Sequence, residues 1–495
     1  MSRTDSGGLA ERLSAGVKAH FGAQVLAMGA NALLVLLLTR VFLDPSSFGR
    51  LFFALSFLSV VSLFASLGLP RSAARYVTEY VETDDTQVRY IVRQSFKYLA
   101  VLVSIATLVI AAGSGVFAGL LGEPAIAPLL LVGAGYVAFY AVSGHLSVLF
   151  QGFNDVRWSA VVSATSGVGR LGFAVAFVAL GFGAVGAMAG YVAGYALATA
   201  VGGVVLYRLF YTQFRETDRP EPGLSRRLLE YSLPLTATKG ANVLDKQVDT
   251  ILVGTLLNPV AVGYYVVAKQ VSDVVTVPAS SFGFTISPAV GEQKAGDRVE
   301  RAAALYENAL TYVLLFYVPA CAGLVLVAEP LVRFVFGPDY VPAAPVVQVF
   351  ALFILVSAVN KITSDGLDFL GRARSRALVQ GTMAVSNFLL NLVLIPTMGV
   401  VGAAVATVLT YSVYTAANVY LIHDELAIRP WPVLRDGAVV CGITLGVATV
   451  VFVVLPYVSN LSTLLGVVLV GGSVWALLSV VSGLLDVRRL ASLLL

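Results

Sequence analysis

The sequence predicts an all-α integral membrane protein with about fourteen transmembrane helices, set out as two six-helix lobes in a parallel pseudo-repeat plus two C-terminal helices. Three observations predict it. The 495 residues are 58% hydrophobic and only 12% charged, with a mean hydropathy of +0.86, whereas a soluble globular chain is about 25% charged. Apolar runs long enough to cross roughly 30 Å of hydrocarbon recur along the whole length. Lys and Arg then fall overwhelmingly on one side of the resulting helices.

In chain order the spans read 19–42, 50–69, 98–119, 125–150, 159–180, 184–207, 231–257, 261–288, 305–328, 344–366, 377–395, 400–421, 437–457 and 462–483. The first run is too long for a signal-peptide core and lacks a cleavage site, so it reads as a membrane helix. Between the second and third spans, residues 70–97 form a long inner connection that suits a helix along the membrane surface. The sixth span carries Gly183, Gly186, Gly190 and Gly194 on one face, which favours close helix packing. The segment from Arg208 to Glu230 is rich in charge, Pro and Gly and reads as a flexible linker. Pro278 and Pro288 flank Ser280, Ser281 and Gly283, which reads equally as a bending region in the eighth span or as an irregularity of core packing. His145 reads as a hydrogen-bonded residue inside the bundle. Cys321 and Cys441 sit in apolar segments and read as buried small hydrophobes. No stretch is long or polar enough to form a separate soluble domain.

Placing the N-terminus inside puts twenty-four of the 32 Lys and Arg residues on the cytoplasmic side and only Arg40, Arg50 and Arg333 outside. That bias predicts cytoplasmic N- and C-termini in a multi-pass plasma-membrane protein. The net charge of +4 is too small to suggest a nucleic-acid partner. No Walker motif appears, which argues against ATP hydrolysis.

A repeat underlies the array. Leu43-Asp44-Pro45-Ser46-Ser47-Phe48-Gly49 after the first helix matches Leu257-Asn258-Pro259-Val260-Ala261-Val262-Gly263 after the seventh, 214 residues later. The Gly183-Ala184-Val185-Gly186-Ala187 opening of the sixth helix matches Gly399-Val400-Val401-Gly402-Ala403 at the twelfth, 216 residues later. An even number of helices per unit keeps both copies in the same orientation, related by an axis along the membrane normal. The expected organisation is an N-terminal lobe over 1–210, a cytoplasmic linker over 211–230, a C-terminal lobe over 231–422 and a two-helix appendage over 423–495.

The seventh span is the anomaly. It carries Lys239, Asp245, Lys246 and Asp249, and the eighth adds Lys269 and Asp273. Facing lipid, six such charges would cost on the order of 15–20 kcal/mol, so they must face one another or a wet cavity. Asn242, Asp245, Lys246 and Asp249 follow i, i+3, i+4, i+7 and share one helix face. Lys269 and Asp273 are four apart and can pair along their helix. Arg170 lies in the middle of the fifth span. The candidate anion path is therefore Lys239, Lys246, Lys269, Arg170 and Asn242, with Asp245, Asp249 and Asp273 as charge partners or as groups coupling to an H⁺ or Na⁺ gradient. No other cofactor, no metal and no catalytic residue are indicated. Arg40 and Arg50, at the outer ends of the first two helices, suit interfacial anchoring first and headgroup contact at the exit second.

Several motifs resemble those of the multidrug/oligosaccharidyl-lipid/polysaccharide (MOP) exporter superfamily, and within it the polysaccharide transporter or oligosaccharide flippase branch. They are Thr39-Arg40-Val41-Phe42-Leu43-Asp44-Pro45-Ser46-Ser47-Phe48-Gly49 with Leu67-Gly68-Leu69, Gln151-Gly152, Leu370-Gly371-Arg372 and Gly402-Ala403-Ala404. They extend over essentially the whole chain. The resemblance implies a two-lobed transporter that moves a polyprenyl- or dolichyl-linked saccharide from the cytoplasmic to the outer leaflet, serving glycan-assembly enzymes. An ion-coupled multidrug antiporter of the same superfamily is the alternative. It would favour an acidic cavity, whereas the charges within spans five, seven and eight are four basic to three acidic. A membrane-embedded glycosyltransferase would need catalytic carboxylates on a sizeable outer loop, and no Asp-x-Asp or Glu-x-Asp pair occurs there.

Overall fold

A computed structural model describes residues 6–485 apart from 216, 218, 219 and 297. Arg3, Glu216, Asp218, Arg219, Arg488 and Arg489 lie outside the described residues. Among the described residues every regular element is helical. The helices are α1 (Ser6–Leu37, extended by a π-helical turn Leu38–Phe42), α2 (Pro45–Ser66), α3 (Leu69–Thr83), α4 (Val88–Leu120), α5 (Ala127–Gly152) and α6 (Val156–Phe177, extended by Val178–Phe182). They continue with α7 (Gly183–Val205), α8 (Leu224–Leu256), α9 (Pro259–Ala295), α10 (Val299–Leu331), α11 (Ala344–Phe369), α12 (Ala373–Met398), α13 (Val400–Leu426), α14 (Pro430–Val454) and α15 (Leu461–Val481).

Twelve helical stretches are long and apolar enough to cross a membrane. One of them, 156–211, is two helices, because Gly181 at φ +92° and Gly183 at φ +53° break it. α8 is not among the twelve, since its charged side chains lower its apolarity. Each of the fourteen expected spans is thus a helix. The fifteenth, α3, falls in the 70–97 connection and buries Leu69, Ala73, Tyr76, Val77 and Tyr80 along one face. Two expectations need correction. The linker is shorter than its composition suggested, because α8 starts at Leu224 and takes Arg226, Arg227 and Glu230 into its first turns. Cys441 is exposed, not buried. α14 packs on α10 through Val440, Ile443, Val447 and Val451, and position 441 lies off that stripe.

Contacts divide the chain into two compact units, Met1–Val262 and Gly263–Leu495. In the first, α8 packs on α2 and α3. Glycines permit the approach: a Cβ on Gly254 would fall 2.7 Å from the Phe53 ring, and one on Gly68 would fall 2.1 Å from the Ser232 carbonyl. The Gly68 N–H donates to Thr236 Oγ1 at 2.8 Å, and Ser72 Oγ donates to the Leu228 carbonyl at 2.7 Å. The remaining linker is clasped as well. Tyr80 donates to Glu221, Arg227 Nη2 donates to both, and the Glu221 N–H donates to Gln87 at 3.2 Å. The hydrogen bond from Tyr80, then those from Arg227, outweigh desolvation and hold the Glu221 carboxyl below its ordinary value.

The two copies of the repeat signature share local geometry. Asp44 caps α2 by accepting from the Ser46 and Ser47 N–H groups at 3.0 and 3.3 Å, and Asn258 accepts from the Ala261 N–H at 2.9 Å. At Asp44 burial opposes the charge, but the bonds from Ser47 and Ser46 prevail and lower its pKa. Gly183 and Gly399 adopt nearly the same backbone angles, φ +53°, ψ −141° and φ +63°, ψ −148°, a conformation essentially reserved for glycine.

In the second unit, polar contacts tie α11, α12 and α13. Asn418 donates to Asn360 at 2.9 Å, Asn360 to Tyr411 at 3.3 Å, and Asn387 to Thr410 at 3.3 Å. The last two helices dock on α10, where Trp475 Nε1 donates to the Leu315 carbonyl at 2.8 Å. In α9 the helical hydrogen-bond ladder is interrupted within the segment that the prolines mark. Pro278 lacks an N–H, and the buried Tyr317 hydroxyl stands between a helical donor and its acceptor. It accepts from the Ala279 N–H at 2.9 Å and donates to the Val275 carbonyl at 3.0 Å. A side chain inserted into the i→i−4 ladder is a recognised cause of helix bending.

Two variants and one control test these contacts. Gly190 opens α7 to α6, and a Cβ there would lie 2.2 Å from the Ala174 Cα. Gly190→Leu should cost at least the about 1–3 kcal/mol of ordinary overpacking and sharply lower the yield of monodisperse protein in size-exclusion chromatography. Gly172→Leu, with open space around its Cβ, should elute normally. Tyr317→Phe should leave the Ala279 N–H and Val275 carbonyl poorly met, costing about 1–3 kcal/mol, visible as a lower melting temperature in detergent.

Candidate functional site

In the first unit, α6 and α7 run as a tight hairpin because α7 presents glycine to α6. Gly186 faces Phe177, Gly190 faces Ala174 and Gly194 faces Arg170. Their would-be Cβ atoms lie 3.0 Å from the Phe177 carbonyl, 2.2 Å from the Ala174 Cα and 2.4 Å from the Arg170 nitrogen. This ladder brings the Arg170 side chain against α7. Its guanidinium lies 5.3 Å from the Tyr191 ring centre and 5.1 Å from that of Tyr195, and its Nε donates to the Ser166 carbonyl at 3.2 Å. Such placement attracts a cation to the ring faces.

Tyrosines from α5 complete the group. Tyr136 and Tyr140 stack with centroids 5.2 Å apart and planes 11° apart, while Tyr195 meets both edge-on at 5.5 and 5.2 Å. Ser59 of α2 lies 3.3 Å from the Tyr136 hydroxyl. Tyr136 and Tyr191 are buried, Arg170 and Tyr195 are partly exposed, and Tyr140 is 37% exposed. All of them sit near the middle of their helices. Among the described residues no carboxylate pairs with Arg170. A lipid-facing arginine at that depth would be costly, so the open side of the cluster suits a wet surface.

The charged residues of α8 also belong to the first unit, and they do not form one uniform face. Lys239 is partly buried and its Nζ donates to Ser66 Oγ of α2 at 2.8 Å. Asn242 and Lys246 are exposed, Asp245 is intermediate, and Asp249 is buried at 5% exposure. Lys269, partly exposed, and Asp273, exposed, stand on α9 in the second unit. Arg50 is engaged inside the protein, with its Nε 3.1 Å from Glu123 Oε1. Arg40 is exposed in the π turn that ends α1. His145 is fully buried, with Nε2 3.1 Å from Ser95 Oγ. The tyrosines were not among the sequence candidates. Their available signal was the i, i+4 repetition of Tyr136/Tyr140 and Tyr191/Tyr195 at mid-span, which single-helix reading assigns to packing.

A family profile described as "Polysaccharide biosynthesis protein" matches residues 13–292, and one described as MatE matches residues 234–397. The "Probable low-salt glycan biosynthesis flippase Agl15" of Haloferax volcanii is 25% identical over 205 residues, 41% of this chain and 43% of that one. The "Probable flippase AglR" of the same organism is 24% identical over 214 residues, 42% and 44% of the two chains. The matched stretch thus spans less than half the length of these two relatives. In three dimensions, the chain resembles the lipid II flippase MurJ in an inward closed conformation, with a TM-score of 0.74 and 16% identity, over 94% of this chain and 98% of that one. At that identity the likeness establishes a shared fold.

Proposed function

The chain belongs to the polysaccharide biosynthesis protein family, and from that premise we propose that it is a flippase for a saccharide linked to a polyprenyl or dolichyl (pyro)phosphate. It carries this substrate from the cytoplasmic to the outer leaflet of the cell membrane by alternating access, for surface polysaccharide or N-glycan assembly. The observation that carries the reading is Arg170, a mid-span cation whose described neighbours are rings and a carbonyl, without a carboxylate. A lipid-borne phosphate supplies the missing anion. The similarity to relatives named as flippases supports the same substrate class.

In this reading Lys239, Lys246, Lys269 and Asn242 extend the anion path, and Asp245, Asp249 and Asp273 tune it or couple it to H⁺ or Na⁺. The termini lie in the cytoplasm. The working halves are the repeats over 1–210 and 231–422, with the linker and the first turns of α8 between them and 423–495 appended. Substrate arrives from and leaves to enzymes of glycan assembly. The MatE match over 234–397 favours one second reading, an ion-coupled multidrug antiporter. Arg170 opposes it, because a cationic drug would meet a like charge.

The discriminating experiment uses the purified chain in proteoliposomes with a fluorescent lipid-phosphate-linked sugar, read by quenching from outside. Wild-type protein should translocate this probe and leave a cationic dye in place; the converse result establishes the antiporter. The double variant Lys246→Gln/Lys269→Gln should lose transport while being produced and folded normally. Undiminished transport by that variant removes the two lysines from the path.

A further inference from the structure

We propose that the tyrosine–arginine cluster of the first unit is a saccharide subsite: Arg170 takes the phosphate, and the rings of Tyr140 and Tyr195 stack on the pyranose next to it. The inference rests on the flippase reading and assigns the part of the substrate that these residues hold.

The composition of the cluster is its first argument. A bundle interior that needs only packing is satisfied by Leu or Phe, whereas a phenol brings a hydroxyl that seeks a partner in a water-poor setting. Four phenols gather here, and only that of Tyr136 has a described protein neighbour, Ser59. The hydroxyls of Tyr140, Tyr191 and Tyr195 make no hydrogen bond to protein among the described residues. Each offers one donor and an acceptor. Arg170 directs only Nε to the protein, which leaves guanidinium N–H groups for a bidentate oxyanion. Unspent phenols beside an unpaired guanidinium match a ligand that is both polyhydroxylated and anionic.

Geometry is the second argument. Tyr136 and Tyr191 are buried and form the base, while Tyr140 and Tyr195 keep open surface. The edge-on contact between Tyr140 and Tyr195, with planes at 86°, makes a corner whose two walls are ring faces and edges. The axial C–H face of a pyranose fits against such a wall. Ring-to-ring contacts and the glycine ladder hold the corner before any ligand arrives, so little ordering cost remains at binding. A hydrophobic cation finds the aromatic wall but is repelled by Arg170.

The test measures binding of two probes to the full chain in nanodiscs, both phosphodiesters with one negative charge: farnesyl methyl phosphate, and the same diester with glucose in place of the methyl group. Wild-type protein should bind the glucosylated probe about tenfold more tightly, the size of one good aromatic contact. Tyr140→Leu and Tyr195→Leu should each bring the two probes close to parity, and Tyr195→Leu, which also takes a ring away from Arg170, should weaken both. Arg170→Gln should weaken both probes alike. Tyr140 is the most exposed member, so its variant carries the test if Tyr195→Leu elutes as aggregate. A sugar preference that survives in Tyr140→Leu overturns the subsite. Binding of farnesyl methyl phosphate by wild type with no gain from glucose overturns the subsite alone, whereas failure to bind either probe overturns the flippase reading with it.

Discussion

A hydrocarbon environment supplies no hydrogen bonds, and that constraint shapes this chain throughout. Hydroxyls within the helices turn back on their own backbone: Ser62 donates to the Leu58 carbonyl at 2.7 Å, and Thr410 to the Ala406 carbonyl at 2.8 Å. Side-chain amides find one another, as Asn360 and Asn418 do between α11 and α13. Even the break in the α9 ladder obeys the rule, because Tyr317 bridges the donor and acceptor it separates. Such paired groups identify a neighbour, and neighbours identify the packing, whereas the buried Tyr191 hydroxyl has no such partner among the described residues.

The same constraint explains the glycines. Between membrane helices the lipid tails are as apolar as leucine, so attraction comes from close approach and polar contact instead of from expulsion of water. α6 and α7 approach through Gly186, Gly190 and Gly194. That approach has a chemical consequence, since it lays Arg170 against Tyr191 and Tyr195. A cation at mid-span becomes tolerable through ring faces on one side and an open surface on the other. The packing motif and the site are one piece of structure.

Much of this was legible in the sequence. Hydropathy, together with the one-sided Lys and Arg distribution and the repeat, located fourteen helices, because most spans are both long and apolar. The charges on α8 stood out because they break that pattern. Their grouping was legible only in part. Helical periodicity placed Asn242, Asp245, Lys246 and Asp249 on one face, but α8 changes neighbours along its length, so Lys246 is exposed while Asp249 is buried. That Arg50 meets Glu123, 73 residues away, was not legible from its position at a helix end. Cys441 lies in an apolar run and is exposed, because in lipid an apolar residue need not be buried by protein. That inverts the inference valid for soluble proteins.

The sequence by itself determined the membrane class, the helix count, the repeat signature and the presence of charges that cannot face lipid. These follow from local quantities: residue polarity, run length and spacing along one helix. Only the tertiary structure decided that α8 packs on α2 and α3, that α3 and the linker clasp its start, and that Arg170 is ringed by tyrosines from two other helices. The reason is physical. A side chain's solvation is set by what other helices place beside it, and helix-to-helix register depends on glycine contacts and polar bonds between residues distant in the chain.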